Sequence, residues 1–212
     1  MRVFHLAEAA NWPAIRREGL LSAQTLLARP GMSQEIRKHR PQSLHLPGGV
    51  LVRDQSPMPP GALARCLDPG LAPADWYALI NGMVFFWFDL DRLNRQRRAC
   101  GRPQVAMAID LARLIAAHGP RASVSPFNTG NARRQPASRG LRTFVPYDDF
   151  VADGWAREAA PGKAPRARGH APVELTIADA VPDVMRFVLD AVTLAPGEAW
   201  NGELSRRRSV AR

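Results

Sequence analysis

Residues 83 to 90, MVFFWFDL, constrain the fold of this chain more than any other stretch. The run follows Asn81-Gly82, a turn signal, and its aromatic and β-branched composition is that of a strand. It leaves no position for a wet face, so it is expected to lie centrally in a sheet with both sides covered. QVAMAID, residues 104 to 110, reads as a second buried strand, and strands are also expected over residues 2 to 6, from 122, from 141 and over 173 to 181. SLHLPGGVLVRD, residues 43 to 54, reads as two short strands broken at Pro47-Gly48-Gly49. Helices are expected over 9 to 18 with Gly19 as the stop, from the cap Ser22 to Arg29-Pro30-Gly31, around 61 to 67, from Pro73 to Asn81, over 91 to 99 and over 111 to 117. Residues 32 to 40 suggest a basic helical turn, and 183 to 192 fit either a last strand or a short helix. The mixture lacks the regular alternation of a parallel sheet, which makes the class α+β. At 212 residues and 46% hydrophobic, the chain can bury one substantial core. Residues 1 to 195 are therefore assigned to one domain, and the basic residues 196 to 212 to a flexible tail.

Charge sets the second limit. Lys+Arg 29 against Asp+Glu 19 gives +10, and nearly all of the excess is arginine, whose planar fork suits phosphate. A polyanionic partner fits this balance; so does an arginine-rich chain from a GC-rich genome. The basic residues cluster in Arg92 to Arg102, Arg133 to Arg142, Arg157 to Arg168 and Arg206 to Arg212. No apolar run reaches the roughly eighteen residues of a membrane span, and no signal-peptide pattern opens the chain, so a cytoplasmic location is expected. Cys66 and Cys100 fit a reducing compartment and cannot form a metal site alone, so no metal is expected. The chain has no GxGxxG after a strand, no GxxxxGK[ST] and no HExxH. A nucleotide, if bound, has to be held in another way.

FHLAEAANWPAIRREGLLS, residues 4 to 22, places a histidine on the first strand and then a helix of the form N-x-x-x-I-x-x-x-G-L. Followed by the aromatic strand and by Glu174 in PVELTI, this order resembles the ADP-ribosyltransferase fold of the poly(ADP-ribose) polymerase and diphtheria toxin class. The opening stretch is similar to the start of DarT-type DNA ADP-ribosyltransferases and of the RNA 2'-phosphotransferases sharing that fold. The whole chain resembles an uncharacterised bacterial family related to them. The resemblance implies a split mixed or antiparallel sheet with flanking helices, and NAD as the substrate. It implies that His5 and backbone groups beside it at Leu6 hold the ribose and the nicotinamide amide. An aromatic among Phe85, Phe86 and Trp87 would stack on the nicotinamide ring, and Asn128 would reach NAD or a base edge. Glu174 would be catalytic, and Arg53 in VLVRDQ would meet the NAD phosphates and the reacting centre.

Physical chemistry suits these roles. A neutral imidazole both donates and accepts, as a ribose hydroxyl does. A flat ring favours the positive charge of nicotinamide. Loss of nicotinamide builds positive charge on the ribose, which a nearby carboxylate stabilises, and the same carboxylate can take the acceptor's proton. Each residue also has a plainer reading: His5 as a satisfied core or edge histidine, Phe85-Phe86-Trp87 as packing, Glu174 as the solvent side of a half-buried strand, and Arg53 as a solvated residue paired to Asp54. The strand lacks the tyrosine usual in the poly(ADP-ribose) polymerase class. The loop before Glu174, AREAAPGKAPRARGHAP, has a single acid, Glu158. Its Arg166 and Arg168, with Arg133 and Arg134 of NTGNARRQPASR, point to a nucleic acid as acceptor, DNA favoured. Pro172 stands two residues before Glu174, where protein-arginine modifiers carry an acid or amide. The resulting expectation is a monomeric, NAD-dependent ADP-ribosyltransferase, a toxin or phage-defence effector with an antitoxin partner. The alternatives are a 2'-phosphotransferase or NAD glycohydrolase on the same fold, and a non-catalytic nucleic-acid-binding module.

Overall fold

The computed structural model describes residues 1–133, 137–159 and 163–204. Eleven strands and seven helices occur among them. The strands are β1 (Arg2–Glu8), β2 (Leu20–Leu21), β3 (Leu44–His45), β4 (Leu51–Val52), β5 (Met83–Trp87), β6 (Gln104–Asp110), β7 (Ala122–Ser125), β8 (Val145–Pro146), β9 (Glu174–Ala178), β10 (Ala180–Val181) and β11 (Val188–Leu194). The helices are α1 (Trp12–Glu18), α2 (Ala23–Ala28), α3 (Pro60–Ala64), α4 (Pro73–Asn81), α5 (Leu90–Arg98), α6 (Leu111–His118) and α7 (Tyr147–Asp153). The class is α+β. Seven strands form one sheet in the order β11-β6-β1-β5-β9-β7-β8, antiparallel at every junction, so the mixed pairing left open by the sequence does not occur in it. β2 pairs with β10 and β3 with β4 as two small ribbons. Residues 183 to 192 resolve into a 3₁₀ turn at Val184–Arg186 followed by strand β11.

MVFFW forms the central strand, but its two sides differ. Val84 and Phe86 are buried, while Met83, Phe85 and Trp87 are only half-buried. The inward pair belongs to the main core with Val3, Met107, Ile109 and Leu175, and burying a ring such as Phe86 is worth about 1.5 to 3 kcal/mol. The opposite side is covered by two separate clusters. One lies under α5 and contains Phe4, Leu93 and Trp200. Trp200 is buried and exchanges two hydrogen bonds with Asn94, so the start of the expected flexible tail is instead packed into the domain. The other cluster lies under α3 and α4 and contains Leu63, Trp76 and Phe144. Trp87 leans on the first cluster, and Met83 and Phe85 on the second. Because the clusters do not merge, β5 is not dry on both faces, and its alternate residues become the floor of a cleft.

The sheet is also divided. β1 pairs with β6 along its whole length and β5 with β9 along its whole length. β1 and β5, by contrast, share a single aligned pair, Phe4 opposite Trp87. The two halves of the sheet therefore fork between β1 and β5, which leaves backbone groups free of the ladder there. Gly19, the expected helix stop, ends α1 with φ of 80°, and a Cβ there would meet Val181 O at 2.3 Å. Only glycine satisfies both limits, and it lets β2 turn back to pair with β10.

Candidate active site

The fork is bridged by a side chain. His5 Nδ1 lies 2.7 Å from the carbonyl oxygen of Phe85, so the imidazole replaces a rung that the diverging strands cannot make. A carbonyl only accepts, so Nδ1 carries the hydrogen and Nε2 keeps its lone pair as an acceptor. Burial holds the ring's pKa down to about 4; the Phe85 carbonyl opposes this and the Arg53 charge adds to it. His5 is therefore neutral at physiological pH. Its ring also packs 5.5 Å from that of Phe86, so it is both an anchored strand histidine and a lining residue of the cleft.

Glu174 opens β9 directly opposite Trp87 on one side and Ser125 on the other. It is not the solvent side of its strand: it is 3% exposed. Oε2 accepts from Ser125 Oγ at 3.0 Å, from Thr129 Oγ1 at 2.8 Å and from the Thr129 amide at 3.1 Å. Among the described residues no hydrogen bond reaches Oε1, and Glu174 lines the cleft. Burial pushes the carboxyl up to about 7, against the pull of Thr129, Ser125 and the Arg139 charge. The group thus changes charge near neutrality with one oxygen fixed and the other unbonded.

The loop that supplies Thr129 is clamped by a buried cation. Arg139, 1% exposed, donates to the carbonyls of Thr129 at 3.0 Å, Asn131 at 3.1 Å and Ala137 at 3.3 Å. Its guanidinium lies over the rings of Trp76 and Phe127. Sequence reasoning missed Arg139, Ser125 and Thr129, because a serine, a threonine and one arginine in a basic loop carry no motif.

Arg53 follows β4, outside the main sheet, yet it pairs with Glu8 at the end of β1 rather than with Asp54. Its Nε donates to Glu8 Oε1 at 3.2 Å, and Nη2 lies 3.2 Å from the same oxygen without hydrogen-bond geometry. The β3–β4 hairpin is held in place by side chains. Asn11 donates to Leu51 O at 2.8 Å and accepts from Leu51 N at 2.7 Å, and Arg40 Nε donates to Arg53 O at 3.2 Å. Glu8 escaped the sequence reading, although it stands in strand period with Leu6 and is the one acid of its strand.

These elements enclose a cleft of about 910 Å³, lined by His5, Leu6, Arg53, Phe85, Trp87, Asn128 and Glu174 among others. The structure thus brings most of the expected residues together. Trp87 is oriented by an indole hydrogen bond of 2.8 Å to Gln96 Oε1, and Asn128 sits exposed at the rim, its side chain accepting from Gly130 N. Phe86 is a correction: with 1% exposure in the main core it does not reach the cleft, because it points to the opposite face from Phe85 and Trp87. The basic candidates lie apart from the floor. Arg133 is exposed and donates to Ser56 O, and Arg168 is exposed and donates to Ala152 O. Arg166 is half-buried, ion-paired to Glu158 and set over the Phe127 ring, so it braces its own loop. Arg134 and residues 205–212 of the tail lie outside the described residues. Among the described residues, no cluster of His, Cys, Asp or Glu could hold a metal ion, and no helix is long and apolar enough to cross a membrane.

The model of DUF7002, a family of unknown function, matches residues 1–188. No curated protein matches the sequence. Among solved structures, the chain is similar to Thermosipho africanus DarTG in complex with ADP-ribose, at 12% identity and a TM-score of 0.41. That similarity covers 90% of this chain, which spans 43% of the other.

Proposed function

The chain belongs to the DUF7002 family, and from its own cleft we propose that it is an NAD-dependent ADP-ribosyltransferase, with residues 1 to 195 as one catalytic domain. One observation carries this reading. Glu174, with one carboxylate oxygen free of hydrogen bonds among the described residues, lines the same cleft as a neutral, anchored histidine and stands directly across the ladder from a fixed indole. Nicotinamide would stack on Trp87, or on Phe85 beside it, and the backbone at Leu6 would take its amide. A ribose hydroxyl would donate to His5 Nε2. Arg53 would meet the diphosphate, and Asn128 would close the rim.

The chemistry balances without a metal or redox step. The bond between ribose C1' and the nicotinamide nitrogen breaks, and its electron pair leaves with the ring, which becomes neutral nicotinamide. The positive charge that develops at C1' is stabilised by ionised Glu174, itself buried at the cleft wall. The acceptor's nucleophile then bonds to C1' and its proton passes to Glu174 or to water. We favour a nucleic acid acceptor, DNA before RNA, approached over the exposed Arg133 and Arg168, and a role as a toxin or defence effector restrained by an antitoxin.

The test is incubation of the purified protein with labelled NAD and, separately, single-stranded DNA, duplex DNA, total RNA and protein extract, alongside Glu174→Gln. Label appearing on one nucleic acid class with the wild type alone supports the proposal and names the acceptor. Nicotinamide release without transfer assigns an NAD glycohydrolase. Neither release nor transfer, with NAD failing to bind, rejects the reading.

A further inference from the structure

We propose that Glu8 is the positioning residue that aims the Arg53 guanidinium at the phosphates of a bound dinucleotide; the inference rests on the NAD-dependent reading of the cleft. Glu8 is 5% exposed and lines the cleft. Its Oε1 accepts from Arg53 Nε at 3.2 Å, Arg102 Nη2 at 3.0 Å and Gln104 Nε2 at 3.2 Å, and its Oε2 accepts from Arg102 Nε at 3.0 Å. Burial pushes the carboxyl up, but the Arg102 hydrogen bonds and the two arginine charges outweigh it and hold the group ionised below the usual carboxylate range.

Anchoring β1 to β6 needs only part of this set. Gln104 stands opposite Glu8 in that ladder, and Arg102 lies two residues before it. Arg53 comes instead from a hairpin outside the sheet, so its pairing with Glu8 serves the cleft wall. Glu8 holds the guanidinium by Nε and by its contact with Nη2, while Nη1 has no hydrogen bond among the described residues and Nη2 is buried without one. Nη2 is shielded and already within ion-pair distance of Glu8, so Nη1 is the nitrogen left for an arriving acceptor. Arg17, Arg29, Arg53, Arg92 and Arg95 line the cleft against Glu8, Glu18 and Glu174, an excess of cations that favours an anion. Fixing the fork in advance removes rotamer freedom that binding would otherwise have to freeze.

The experiment is a double-mutant cycle read by calorimetric titration with NAD on wild type, Glu8→Gln, Arg53→Gln and the double variant, with thermal melting on the same samples. Each single substitution is expected to weaken NAD by roughly tenfold to hundredfold, the range of one hydrogen bond to a charged group. The double variant should bind no more weakly than Arg53→Gln, since Glu8 acts through Arg53. Equal or tighter binding by Glu8→Gln, or losses that multiply in the double variant, overturns the positioning role while the NAD reading stands. Wild type that binds no NAD removes the reading itself. If Glu8→Gln does not fold, Glu8→Asp, which keeps the charge but shortens its reach, should show the same selective loss; wild-type affinity in that variant rejects the proposal.

Discussion

Replacing Glu174 with glutamine should stabilise the protein in a pH-dependent way while abolishing its chemistry. In the folded chain burial raises the Glu174 carboxyl from 4.5 to about 7; in the unfolded chain it titrates at its ordinary value. Between those values the folded state keeps a proton that the unfolded state has lost, so stability falls as pH rises. The contribution is fully present below about pH 4.5 and is lost on passing through pH 7. At about 1.4 kcal/mol for each unit of separation, the ionised group costs up to about 3 kcal/mol above pH 8. Glutamine keeps an oxygen for the Ser125 and Thr129 donors and never ionises. His5 works in the opposite direction, since its depressed value makes stability rise with pH between about 4 and 6.5, but it does so in both proteins and cancels from their difference. Thermal unfolding of wild type and Glu174→Gln from pH 5 to 8.5 should therefore show similar midpoints at pH 5. At pH 8.5 the variant should melt about 6 to 12 °C higher, for a chain of this size. Parallel profiles would refute the argument, because they would mean that Glu174 titrates alike in both states.

Two further outcomes follow from the same geometry. Trp87→Ala should weaken NAD binding by roughly tenfold and Trp87→Phe by much less, since a ring stack is worth about 0.5 to 1.5 kcal/mol beyond its area; fluorescence titration decides it, and equal affinity for wild type and the alanine variant would remove Trp87 from the site. Asn11→Ala deletes both hydrogen bonds to Leu51, at about 1 kcal/mol each. Amide exchange in residues 44–54 should then accelerate while β6 stays protected, and unchanged exchange in the hairpin would show that Arg40 and Glu8 suffice to hold it.

The sequence by itself determined the local elements. The aromatic run had to be a central strand, Gly19 had to end its helix, and Ser22 caps α2 by accepting from the Thr25 amide. It also carried the order of His5, the aromatic strand and Glu174, which the fold gathers around one cleft. Even Asn11, legible only as the first letter of a helix pattern, turns out to be a bracket for the hairpin. A period of two separates Phe86 from Phe85 and Trp87, but it does not say which side faces the cleft. That was decided by two clusters that cover the far face of the sheet without meeting. The raised Glu174 carboxyl and the Glu8 pair likewise existed only after folding. The hydrogen-bond partners named for them lie 45 or more positions away along the chain, and burial and charge act through space, so no local spacing in the sequence could encode either one.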